Sequence, residues 1–264
     1  GQYRGGRSSL PAQPDPVDIS MLSTFELAER ERINSFFTTG GLVAVHAAGR
    51  GREDIWSALR KRQVYGTSGE RILLWFDAQL GAASYPMGSE LSGNLSPQFS
   101  VKAVGAFEQL PGCPQYSRNG LGPERLSRVC LDECYNPSEQ RKLIARLEVI
   151  RITPQTSVAE NVGDLIEDPW LIHDCAPDPL GCSFSFADPD YAHAGRDTVY
   201  YVRAIQAPSD AVNGTNLRCE FDDAGNCIVV NPCHGATALT DADDDCLAPV
   251  EERAWSSPIF VDYK

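Results

Sequence analysis

The turn Thr67-Ser68-Gly69-Glu70-Arg71 gathers two hydroxyls, a glycine and a guanidinium within five residues. Such a turn could hold a phosphate or carboxylate through backbone N–H groups and the arginine fork. Its spacing is not that of a P-loop, and the plainer alternative is a tight turn leading into a strand. His46 is the second candidate. It ends the apolar run Gly41–Ala47 just before Gly49 and Gly51, and active sites of α/β units gather at that end of a strand. A hydrogen-bonded core histidine is the competing reading. His173, His193 and His234 share no His-x-His or His-x3-His spacing with it or with one another. A metallohydrolase centre built wholly within this chain is therefore not expected, and no Gly-x-Ser-x-Gly elbow occurs. His173 and His193 lie among Asp and Pro, where solvated loops are expected.

The cysteines carry a second chemistry. All nine lie from Cys113 onward, mostly among Gly, Pro, Asn and Asp. That placement favours disulfides in an exported protein over zinc, which would need close ligand pairs with a proper gap. Cys175–Cys182 and Cys227–Cys233 would close short loops, and Cys219–Cys246 would tie down the acidic stretch between them. Cys113 is expected to bond Cys130 or Cys134. Nine is odd, so one thiol is left free or bonded to a segment outside this sequence.

Asp241, Asp243, Asp244 and Asp245 form an acidic knot. Their carboxylates could offer oxygens to calcium, although the twelve-residue EF-hand pattern is absent and a solvated loop is the alternative. The formal charge is −13 overall. Residues 1–72 hold ten Lys and Arg against eight Asp and Glu, whereas residues 73–264 hold thirteen against 28. The acidic part should repel nucleic acid and anionic membranes. No apolar run reaches the length of a bilayer span.

Around these residues the chain divides by texture. Residues 1–40 read as an arm rich in Gly, Ser, Pro and Arg, then a helix from about Ser23 to Phe37. Residues 41–76 read β–α–β. The apolar run is the first strand. A helix follows, with Glu53 and Asp54 in its first turn, Ile55, Ala58 and Leu59 on one face, and Arg60, Lys61 and Arg62 at its end. The strand Arg71–Phe76 closes the unit. Residues 77–264 show strands near 98–106, 144–152, 183–187, 198–206 and 257–262, with one short helix near Pro123–Cys130. That is the pattern of an antiparallel β-sandwich, so the class is α+β and mostly β.

The stretch GLVAVHAAGRGREDIWSALRKRQVYGTSGERILLWF, Gly41–Phe76, resembles the C-terminal half of a bacterial family of unknown function. That family is related to the PHP (polymerase and histidinol phosphatase) metallohydrolases. Pro86-Met87-Gly88, Tyr200–Ala204 and Arg253–Phe260 extend the likeness in the same order. The resemblance implies that 41–76 is the terminal β–α–β piece of a PHP-like barrel, followed by a disulfide-stapled sandwich. It implies divalent metal ions held by His-x-His and Asp-x-His motifs, which would lie upstream of Gly1. His46, Thr67, Ser68 and Arg71 would then stand nearest the metals, orienting the substrate or the ligands.

The leading expectation is a C-terminal fragment or subunit of an exported, periplasmic or extracellular, metal-dependent hydrolase of phosphoester or related bonds. Its partner would be the N-terminal PHP-like portion of the same precursor, without which it would be inactive. A homo-oligomer stays open. The alternative is an extracellular structural or binding protein with a degenerate barrel, acting through the sandwich.

Overall fold

The computed structural model describes residues 40–130, 134–212, 219–230 and 247–264. In chain order its strands are β1 (Leu42–Val45), β2 (Val64–Thr67), β3 (Leu73–Leu80), β4 (Ala83–Pro86), β5 (Glu90–Ser92), β6 (Gln98–Val104), β7 (Phe107–Gln109), β8 (Pro137–Arg141), β9 (Ile144–Ile152), β10 (Ile166–Asp174), β11 (Cys182–Phe186), β12 (Thr198–Gln206), β13 (Ser209–Val212), β14 (Cys219–Phe221), β15 (Cys227–Val230), β16 (Leu247–Val250), β17 (Arg253–Ser256) and β18 (Ile259–Asp262). The helices are α1 (Arg52–Arg60), α2 (Gln115–Leu121), α3 (Pro123–Cys130) and α4 (Tyr191–Ala194).

Leu42–Glu108, Glu139–Ala207 and Glu252–Lys264 form one compact unit. It is a two-layer sandwich. The larger sheet runs β1-β2-β17-β12-β18-β5, with β9 on the other edge of β12 and β10 beyond β9. The smaller sheet runs β11-β6-β3-β4. All pairings in both are antiparallel except β5 with β18. Alternation builds the core: Leu74, Phe76 and Ala78 of β3 and Phe99, Val101 and Ala103 of β6 point inward against Tyr200, Val202 and Ala204 of β12. Phe99 stacks with Phe76 and Phe186 at 5.6 and 4.9 Å and meets Tyr200 at 4.7 Å. Each such ring taken out of water contributes about 2–3 kcal/mol, and the aromatic pairing adds to that.

The disulfide Cys175–Cys182 joins the end of β10 to the start of β11, so it crosslinks the two layers. The other unit draws on Gln109–Ser138 and Pro208–Glu251. There α2 and α3 accompany the Cys113–Cys134 disulfide, and β13 pairs with β16 and β14 with β15. Of the expected pairs Cys227–Cys233 and Cys219–Cys246, Cys233 and Cys246 lie outside the described residues, as do the acidic set Asp241, Asp243, Asp244 and Asp245 and the arm and helix before residue 40.

The β–α–β reading of 41–76 needs correction. The strand that returns after α1 is β2, not the run ending at Phe76, and it lies antiparallel to β1, with Leu42 facing Thr67 and Val45 facing Val64. Only Lys61–Gln63 separate α1 from β2. On its far side β2 pairs with β17, where Thr67 faces Ala254. The chain then crosses to the other layer as β3. Arg62 holds the end of α1 to the sandwich. Its Nε donates to Gly88 O at 3.0 Å, Nη2 reaches Glu90 at 2.7 Å, and its guanidinium lies 5.4 Å from the Phe260 ring. Gly88 has φ +86, and a Cβ there would come within 2.4 Å of the Arg62 carbonyl oxygen. Glycine alone fits that approach.

Candidate functional site

Thr67–Arg71 is the turn by which the chain leaves one sheet for the other. Thr67 is buried, and its Oγ1 accepts from Gly69 N at 3.3 Å. Gly69 sits at φ +142, which the turn requires of it. Ser68 is bound into β17: its N donates to Arg253 O at 2.9 Å, its Oγ accepts from Arg253 N at 2.9 Å, and the hydroxyl donates to the Glu252 carboxylate. Lys142 pairs with the buried Glu70 at 2.9 Å. The carboxylate held by the Ser68 hydroxyl is therefore the protein's own Glu252. Arg71 is exposed.

His46 follows β1, and its ring bridges the layers. Nε2 lies 2.8 Å from Leu74 O. A carbonyl only accepts, so Nε2 carries a proton. The ring stands 5.4 Å from Tyr65 and 5.9 Å from Trp75. His46 and Thr67 occupy opposite ends of the β1–β2 ladder. The sequence candidates thus separate: His46 faces β3, Thr67 and Ser68 face β17, and Arg71 ends the same turn exposed.

The place His46 faces has partners that sequence reading missed. Burial pushes the Asp77 carboxyl above the usual aspartate range, and nearby His46 works against that rise. Asp77 and Trp75 are successive outward positions of β3. Strand register sets Trp75 opposite Lys102 and Asp77 opposite Ser100. It then sets Lys102 opposite Ser183 and Ser100 opposite Ser185. The Lys102 ammonium lies 5.7 Å from the centre of the Trp75 ring. Together with Phe184 these residues line a shallow groove of about 400 Å³ on the outer face of the smaller sheet. The period-two alternation of β3 and β6 was the available signal, but no single strand holds the groove.

Among the described residues one group brings three ligand atoms within 4.8 Å of one another: His173, Cys175 and Cys182. Both sulfurs are spent in the disulfide. These residues do not fit a hydrolytic metal centre, which needs free ligands and an open position for water. His173 also departs from expectation. It lies in β10, half-buried, with its ring stacked 4.6 Å from Phe184. His193 is exposed as expected, but it lies in the short helix α4 and not in a loop.

A second cluster lies at the edge of the core. Arg151 Nη1 lies 2.9 Å from an Asp188 oxygen, Nη2 lies 3.0 Å from Glu167, and the guanidinium is 4.7 Å from the Trp170 ring. The Tyr200 hydroxyl donates to Asp188 at 2.6 Å. Burial opposes the Arg151 charge, but its bonds to Glu167 and Asp188 outweigh this and raise its pKa. Burial, and then Asp188, raise that of Tyr200. Every charged member is paired, so the cluster reads as a structural clamp.

Residues 7–108 match the profile of a family described as "Protein of unknown function (DUF3604)". The match takes in β1–β6, His46, the Thr67–Arg71 turn, Trp75, Asp77 and Lys102, and it stops short of Tyr200–Ala204 and Arg253–Phe260. Those two blocks nevertheless fold against the matched part, since β17 joins β2 to β12 and β18 pairs with β5. No curated protein and no solved structure matches the chain. Among the described residues no helix is long and apolar enough to cross a membrane.

Proposed function

We propose that this chain is the sandwich-bearing part of an exported, PHP-like metal-dependent hydrolase of phosphoester or related bonds, with the catalytic metals held on a barrel that packs against β1 and α1. The observation that carries this reading is the apolar surface of those two elements. Leu42 and Val43 are 40% and 71% exposed, and Ile55, Trp56 and Leu59 of α1 are 39%, 57% and 43% exposed. Ala58 is the one buried residue of that helix. A helix normally turns such a stripe toward a core, so the exposed Ile55, Trp56 and Leu59 mark a helix face made to be covered, while Leu42 and Val43, successive in β1, set an apolar side chain on each side of that edge strand. The resemblance at Gly41–Phe76 supplies the occupant, the upstream PHP-like portion. The disulfides Cys113–Cys134 and Cys175–Cys182 favour an oxidising compartment.

In this arrangement the chain contributes support. His46 and the Thr67–Ser68 turn fix the ends of the β1–β2 ladder, and Arg62 locks α1, so the covered face is presented rigidly. When bound, the divalent metals would supply activated water for attack on the ester.

The test is phosphomonoester and phosphodiester hydrolysis by the complete gene product, with zinc, manganese or iron, beside the same protein carrying Val43→Asp and Trp56→Asp. We expect stoichiometric metal, turnover, and a loss of roughly tenfold or more in the double variant while the sandwich keeps its near-ultraviolet signature. A product that binds no divalent metal, or whose turnover ignores both substitutions, overturns the reading.

A further inference from the structure

We propose that the groove on the outer face of β3, β6 and β11 binds a neutral sugar ring. The proposal goes beyond the hydrolase reading and needs the sandwich alone.

The register lays out two rows across three strands, Trp75–Lys102–Ser183 and Asp77–Ser100–Ser185. With strands about 4.8 Å apart and same-face neighbours about 6.8 Å apart along a strand, the grid measures roughly 10 by 7 Å. That suits the footprint of one six-membered ring with its hydroxyls. The volume of about 400 Å³ falls in the range of small-ligand sites.

The chemistry of the lining selects the ligand. One carboxylate and one ammonium leave the groove without net charge, while the chain as a whole carries −13. A polyanion meets Asp77 and the acidic protein around it, and a cation meets Lys102. A neutral polyol meets neither objection. Among the described residues the Asp77 carboxylate, the Lys102 ammonium and the hydroxyls of Ser100, Ser183 and Ser185 carry no hydrogen bond or ion pair. A half-buried carboxylate without a donor is costly, and vicinal sugar hydroxyls are paired donors for it. Lys102 donates, and the serines both donate and accept.

Trp75 decides between a sugar and a simple polar solute. Its electron-rich face attracts partial positive charge, which the Lys102 ammonium supplies at 5.7 Å. The axial C–H groups of a pyranose offer the same complement over a wider area. A ring that takes that place frees the ammonium to donate to a hydroxyl at its rim. The platform is also stiff. Cys182, at the start of β11, is tied to Cys175, and Phe184 is stacked on His173 at 4.6 Å. Little order has to be gained on binding.

The experiment titrates the intact chain with glucose, galactose, mannose, N-acetylglucosamine and their short β-linked oligomers, read by tryptophan fluorescence and saturation-transfer NMR. Glucuronate serves as the anionic control. At least one neutral sugar should bind with a Kd below about 10 mM. Asp77→Asn and Trp75→Ala should each weaken it roughly tenfold while the thermal midpoint of Asp77→Asn stays near wild type. The proposal is overturned by no neutral sugar binding in that range, or by binding that both substitutions leave unchanged. Preference for glucuronate that depends on Lys102 would do so as well, by making the site anionic in its choice. None of these results bears on metal or ester hydrolysis, so the two readings can fail separately.

Discussion

The sandwich uses the same three groups twice and to different ends. At the edge of the core, Arg151 lies over Trp170 at 4.7 Å beside Asp188. On the outer face, Lys102 lies over Trp75 at 5.7 Å in the row beside Asp77. In the first trio the Asp188 side chain is 2% exposed and is held by Arg151, by Tyr200 and by the Asp190 backbone N–H. In the second, among the described residues, the carboxylate has no donor at all. A cation, an aromatic ring and a carboxylate do not by themselves define a site. What separates a clamp from a groove is whether the protein completes the hydrogen bonds itself or leaves them toward solvent.

The sharpest way to break this comparison is to remove both cations. Arg151→Met keeps the stem over Trp170 and deletes the charge, which leaves Asp188 and Glu167 without their common partner. Removing one member of a buried pair costs about 3–5 kcal/mol, and the melting temperature should fall by roughly 10 °C. Lys102→Met should change stability by about 0.5 kcal/mol or less, because its charge is solvated. Calorimetry of the two variants decides it. If they melt alike, the distinction between clamp and groove is wrong.

Tyr200→Phe is a finer cut. The ring and its packing against Phe99 remain, and one donor to Asp188 is lost. A buried hydrogen bond to a charged group is worth about 1.5–3 kcal/mol. Denaturant unfolding should show a smaller loss than Arg151→Met, and the double variant should fall short of the sum because both residues serve one carboxylate.

The clamp and the groove were hidden from the sequence for the same reason, while the strands that carry them were not. Ile144–Ile152 and Thr198–Gln206 are legible because β-branched and aromatic residues dominate them, and both run over the expected residues. α1 is legible from Glu53, Asp54 and Arg60 at its ends. β10 is not. Its Glu167-Asp168-Pro169 reads as a loop, yet Arg151 and Arg203 pair with the two acids, and the register shifts between Glu167 and Leu171 to pass the proline. The direction of β2 is set by β17, 187 positions from Thr67 at Ala254. The groove is assembled by register from Trp75, Lys102 and Ser185, which no window of one sequence brings together. Local chemistry was readable, whereas long-range pairing decided which groups meet.

The smallest effect tests the open carboxylate directly. Burial raises the Asp77 pKa, so the folded protein holds that proton more tightly than the unfolded chain does. A group shifted upward contributes its stability below the ordinary aspartate range and loses it as pH climbs through the folded value. At neutral pH Asp77 is therefore a small liability, and Asp77→Asn should leave the protein as stable as wild type or more stable by a few tenths of a kcal/mol. The gap should close as pH falls through the aspartate range, because the protonated acid and the substituted amide are both neutral. Thermal midpoints taken in steps between about pH 3 and pH 7 follow it. A variant that loses stability at neutral pH would mean that Asp77 has a donor in the folded protein, and the groove would then be as closed as the clamp.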